Sequence, residues 1–99
     1  MAKRKIIWSK RALFELKEIL EYFIVRNGSK TYSLKLHSNF KKSIRLLADY
    51  PDLGFQTDFG KIRVLFHGIY EIFYEVTNDA VLIISIWDTR QDPEKLRIS

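Results

Sequence analysis

The side chains best suited to chemistry lie in one late stretch of the chain: Arg63, His67, Tyr70, Tyr74 and Arg90. Metal-free cleavage of an RNA phosphodiester needs a base for the ribose 2′-hydroxyl, cations for the charged phosphorane and an acid for the leaving 5′-oxygen. His67 as acid or base, with Arg63 and Arg90 as phosphate clamps, would supply such a set. Each residue also has a structural reading. His67 precedes Gly68 and reads as a hairpin-turn residue. Arg63 reads as half of a cross-strand ion pair, and Tyr70 and Tyr74 as core aromatics. Glu71 and Glu75 stand where they would neutralise Arg63 and Lys61.

The elements that must position these residues can be read from periodicity. Lys5 to Trp8 favours a short strand, since Ile-Ile-Trp suits a pleated, half-buried surface. Ser9 is placed to cap a helix running to about Arg26. Ala12, Leu13, Leu16, Ile19, Leu20 and Phe23 form its apolar stripe. Asn27-Gly28 stops it, because both tolerate a left-handed C-terminal cap. Ser29 then opens a second helix to about Asp49, with Tyr32 or Ser33, Leu36, Phe40, Ile44 and Leu47 as its stripe. So short a link forces an antiparallel helix hairpin. Tyr50 to Gly54 is loop, broken by Pro51 and Gly54.

Three β-rich runs follow between Lys61 and Trp87, separated at His67-Gly68 and Asn78-Asp79. A three-residue connection, His67-Gly68-Ile69, would set Phe66 against Tyr70, Val64 against Ile72 and Ile62 against Tyr74. The opposite face would then hold Leu65 and Phe73 among Arg63, Glu71 and Glu75. A two-residue turn would put the two strands out of that phase. The run from Ala80 to Trp87 is apolar on both sides, as a central strand would be. The expected fold is α+β in the order β-α-α-β-β-β, one domain over residues 1–99, with the helices on one face of the sheet. The face left open would be a partner site unless the Phe55-to-Phe59 loop covers it.

The totals narrow the classes. Ninety-nine residues suffice for one core. The chain has no cysteine and two histidines, so neither a disulfide framework nor a metal cage is expected. No cofactor is implied. The longest apolar runs are too short to span a bilayer, and nothing resembles a secretory signal, so a cytoplasmic location is expected. The net charge is +5, with 12 Lys/Arg against 3 Asp/Glu in residues 1–45 and 5 against 9 in residues 46–99. The basic field therefore belongs to the first strand and the helices. Such a field attracts nucleic acid or an acidic partner. An ordinary solvated helix face is the plain alternative.

Strand, helix hairpin, three strands and a polar tail together resemble the RelE/ParE toxin family of bacterial toxin–antitoxin systems. The likeness rests on Trp8, Ala12, Leu16 and Tyr22, then Leu47, Pro51 and Gly54. It continues through Arg63-Val64-Leu65, the Tyr70-x-x-x-Tyr74-Glu75-Val76 strand, Ile84-x-Ile86, Arg90 and Pro93. The resemblance implies a toxin neutralised by a cognate antitoxin, with functions in plasmid stabilisation and growth inhibition. A toxin–antitoxin heterotetramer or larger complex is the assembly it raises. RelE-like members cleave mRNA in the ribosomal A site, and ParE-like members poison DNA gyrase.

Catalytic RelE-like proteins typically carry an arginine after the first tyrosine of the strand matching Tyr70–Val76. This chain has Glu71 there. A carboxylate at ~4 Å from a phosphate would repel by about 4 kcal/mol at an effective dielectric of about 20. The ParE-like branch is therefore favoured, and no catalytic set is assigned. If the chain is a nuclease, Arg63, His67, Tyr74 and Arg90 are its candidates. A decayed, non-toxic interaction module is a third reading. Arg90, Lys95 and Arg97 would contact the target. Lys10, Arg11, Lys41, Lys42 and Arg45 would attract an acidic antitoxin segment, with Leu65 and Phe73 offering apolar contact on the open sheet face.

Overall fold

The computed structural model describes residues 3–91. It runs β1 (Lys5–Trp8), α1 (Lys10–Asn27), α2 (Thr31–Leu46), β2 (Phe55–Gln56), β3 (Ile62–His67), β4 (Tyr70–Val76) and β5 (Ala80–Asp88). The expected α+β order is present, with one short strand added.

Local chemistry sets the helix limits. The Ser9 side chain accepts from the Ala12 N–H at 3.0 Å, taking up a donor that α1 leaves without an internal partner. The same hydroxyl donates to the Ile84 carbonyl at 2.8 Å, which ties the cap to β5. Gly28 ends α1 with φ 68°, the left-handed cap that a side chain would oppose. Lys30 occupies the capping position of α2 without a side-chain cap. Ser29 instead accepts a long 3.4 Å contact from the Thr31 N–H. The second helix stops at Leu46, short of the expected Asp49, and a turn follows.

The sheet order is β1-β5-β4-β3-β2. β1 joins β5 in parallel, pairing Lys5 with Ala80 and Trp8 with Ile83. β5 is thus an interior strand, as its two-sided apolar pattern implied. A bulge at Phe73/Tyr74 leaves Ile84 without an opposite residue. It resets the phase of β5, so Ile83 and Ile86 both reach the helix-side core. That core gathers Ala12, Leu16, Leu36, Phe40, Ile44 and Leu47 from the helical layer and Ile72, Tyr74, Val81 and Ile83 from the sheet. Burying each large side chain contributes roughly 1.5–3 kcal/mol.

The β3–β4 register differs from the one expected. Leu65 pairs with Ile72, Val64 with Phe73, Arg63 with Tyr74 and His67 with Tyr70. The loop is therefore the two residues Gly68-Ile69. Gly68 supplies φ 58° at the first loop position, the arrangement a tight hairpin of this kind demands. The phase of β4 is as expected, but that of β3 is inverted. Leu65 packs toward the helices, and Ile62 and Val64 join Phe73 and Trp87 in a second apolar cluster on the other face. Phe73 is only 3% exposed there, so it is an interior residue of that cluster. Phe55 and Gln56 do not fold across this face. They extend the sheet beside Val64 and Arg63.

Candidate functional site

The residues singled out for chemistry separate into three places. Arg63 lies on the helix-side phase of β3, where its guanidinium donates to the Gly54 carbonyl at 2.9 and 3.2 Å and to the Asp52 carbonyl at 3.3 Å. It is spent on the loop before β2, and not on Glu71 or Glu75. Tyr74 is fully buried beside it. Its hydroxyl donates to the Pro51 carbonyl and accepts from the Gly54 N–H, both at 2.8 Å. Gly54 has no room for a side chain: an added Cβ would come within 2.6 Å of both the Tyr74 hydroxyl and the Val64 carbonyl. This end of the sheet is a loop clamp.

His67 sits at the end of β3 against α2. Its Nδ1 is 3.1 Å from the Ser43 hydroxyl, and its ring lies 4.9 Å from that of Phe40. Neither Arg63 nor Arg90 is among its partners.

Arg90 lies past β5. Its guanidinium forks onto both carboxylate oxygens of Asp88, with the closest contact at 2.7 Å, and its backbone N–H donates to the same carboxylate at 2.8 Å. Those hydrogen bonds hold the Asp88 carboxyl below the usual aspartate range, against the opposing effect of burial. The guanidinium is itself made harder to deprotonate by Asp88. Tyr70 lies close by, and burial first, then the Asp88 charge, pushes its phenol above the ordinary value. The phenol is a neutral donor at neutral pH and not a ready base. Arg90, Asp88 and Tyr70 line a cavity of about 250 Å³ with Glu18, Tyr22 and Phe23 of α1.

Arg63 and Arg90 thus serve different cavities, the first bordered by Asp52, Gln56 and Lys61 and the second by α1. Glu71 pairs with Phe66 and Trp87 on the face away from the helices. It shares that face with neither His67 nor Arg63.

The basic residues do gather. Lys42 and Arg45 share a shallow groove with Lys3 and Asp49, and Lys41 and Arg45 share another with Ile6 and Trp8. Lys10 is exposed at the start of α1. Arg11 is engaged with Glu15 at 3.4 Å. Leu65 and Phe73 point to opposite faces and are not on this surface. Lys95 and Arg97 lie outside the described residues.

Three pieces of the arrangement had no expectation attached. Ser43 partners His67, and backbone carbonyls partner Arg63. Glu15 is the third: its Oε1 accepts from the Ser85 hydroxyl at 2.8 Å and the Ile86 N–H at 3.1 Å, where β5 extends past the end of β1. Only the Asp88–Arg90 pair carried a sequence signal, being two residues apart.

A short parallel first strand, a helix hairpin and an antiparallel sheet with a clamped loop make a small α+β domain. Residues 6–93 match the family described as ParE toxin of type II toxin–antitoxin system, parDE, and the chain belongs to that family. It is a type II toxin, and an antitoxin partner is implied. Among solved structures it is similar to the "Chromosomal ParDE TA system from P. aeruginosa", with TM-score 0.76 and 17% identity over 85% of this chain and 94% of that chain. At that identity the likeness speaks for the fold. No curated protein matches. Among the described residues, no helix is long and apolar enough to cross a membrane.

Proposed function

We propose that this toxin acts by binding and poisoning DNA gyrase in the cytoplasm, arrests growth there, and does not itself cut RNA. The observation that carries the reading is the commitment of each candidate catalytic group to a separate internal partner. Arg63 holds carbonyls of the Asp52–Gly54 loop, His67 meets Ser43, Arg90 is forked onto Asp88, and the Tyr74 hydroxyl is buried in two hydrogen bonds. A phosphorane needs cations free to strengthen their grip as charge develops. Here each cation would first have to leave a partner. The charge of Glu71 supports the reading less directly than its sequence position implied, since it lies on the other sheet face.

The antitoxin reading follows the charge. Lys41, Lys42 and Arg45, with Lys10, favour an acidic antitoxin segment along the α2 end of the hairpin. Coulombic attraction would chiefly speed encounter. Arg90 remains the described candidate for target contact.

Purified protein in two assays tests the proposal: gyrase supercoiling, and cleavage of mRNA on programmed ribosomes. Loss of supercoiling with intact mRNA is the expected result. Codon-biased cuts that disappear in Arg90→Ala would establish the nuclease instead. A folded protein inert in both assays and in a growth assay would leave only an interaction module.

A further inference from the structure

The cavity between the second half of α1 and the end of β5 contains groups that the fold does not use. Tyr70 is 4% exposed, yet its hydroxyl has no hydrogen-bond partner among the described residues. The ring is buried, and the hydroxyl oxygen is open to the cavity, where a ligand could reach it. Glu18, on the same cavity, makes no ion pair or hydrogen bond among the described residues. The two neighbouring cations are engaged: Arg90 with Asp88 at 2.7 Å, and Arg26 with the Tyr22 hydroxyl at 3.4 Å. The unspent groups are therefore a carboxylate and a hydroxyl, flanked by the rings of Tyr22 and Phe23, which meet edge to face at 5.0 Å.

A carboxylate with aromatic walls selects a cation. Within the cavity an inorganic anion would face Glu18 and Asp88, where Arg90 is already neutralised; Arg26 keeps its charge but lines the groove beyond. A flat guanidinium can lie on an aromatic ring while donating to a carboxylate and to a phenol oxygen. A groove of about 620 Å³ continues from the same Glu18 and Tyr22 along α1 to Val25 and Arg26. Val25 is 84% exposed in it, so the groove offers apolar contact where a chain segment leading to the cavity would lie. We propose that this cavity is an anchor site for an arginine side chain presented by a protein partner whose backbone runs along α1. The inference rests on the unspent Glu18 and Tyr70 groups and stands whether or not gyrase is the target.

The test uses the full chain and a capped peptide, acetyl-Arg-Gly-Leu-amide, titrated while the Tyr22 and Tyr70 ring resonances are followed by NMR. Saturable shifts at millimolar peptide are expected. Replacing the peptide arginine by norleucine should abolish them. Glu18→Gln should weaken binding about 3-fold, as for an exposed charge pair. Tyr70→Phe should weaken it about 2- to 5-fold through one lost hydrogen bond. Tyr70→Phe leaves every internal hydrogen bond in place, so its melting temperature should match that of the parent. Glu75→Gln, on the other sheet face, should change nothing. Agmatine should bind more weakly than the peptide, and equal affinity would make a free small guanidine the ligand and overturn the partner assignment. Saturable shifts with inorganic phosphate and none with the peptide would overturn the sign of the site. Absence of any saturable shift, or full binding by Glu18→Gln, would overturn the proposal outright.

Discussion

Arg63 and Arg90 are the same residue type at two ends of one sheet, and the fold treats them in opposite ways. Arg63 is bound to backbone carbonyls, which are neutral, fixed and part of the loop it stitches down. Arg90 is bound to a side-chain carboxylate two residues away and remains 54% exposed. The first pairing stabilises architecture. The second only balances charge at the mouth of a cavity with unspent groups. A guanidinium's role is set by what accepts its protons, and arginine position in a sequence does not disclose that.

The contrast can be broken at the clamp first. Gly54→Ala should destabilise most, by about 3 kcal/mol, because the new methyl meets both a backbone carbonyl and the buried Tyr74 hydroxyl at 2.6 Å. Thermal or urea unfolding measures it, and a cost under about 1 kcal/mol would mean that the loop can move away. Tyr74→Phe should cost about 2 kcal/mol in the same assay, since it orphans the Gly54 N–H and removes a donor from the Pro51 carbonyl.

At the other end, Asp88→Asn should cost about 1 kcal/mol at neutral pH, as a pair with its arginine half open to solvent would. Its pH signature is sharper. The folded-state pKa of Asp88 is lowered, so its contribution is present above the unfolded aspartate value and fades as pH falls through the folded value. Asp88→Asn should therefore flatten part of the acid limb of stability. An unchanged acid limb would separate Asp88 from that effect.

How far these two ends were legible beforehand differs for physical reasons. The helices were readable because caps and stripes are local: Ser9, Gly28 and the Leu36-Phe40-Ile44 spacing need no tertiary information. The phase of β3 was not, because Ile62, Val64 and Phe66 on one parity compete with Leu65 on the other, and alternation cannot choose between them. The hairpin geometry chose, through the positive φ of Gly68. The parallel docking of β1 on β5 and the two-residue β2 carry no local signature either. At the candidate site, Asp88 stands two residues from Arg90, so that pairing is local. The carbonyl partners of Arg63 were invisible, since every residue type offers a carbonyl.

The docking of β1 against β5 also has a bearing on the order in which the fold can assemble. Ser9, near the start, bonds to Ile84 across a separation of 75 residues, and the core lacks Val81, Ile83 and Ile86 until β5 has been made. Contacts so distant along a chain close late. During translation the opening segment must wait for β5 to emerge, so a chain still lacking β5 has no finished sheet. A segment made early is thus held in place by a strand made much later.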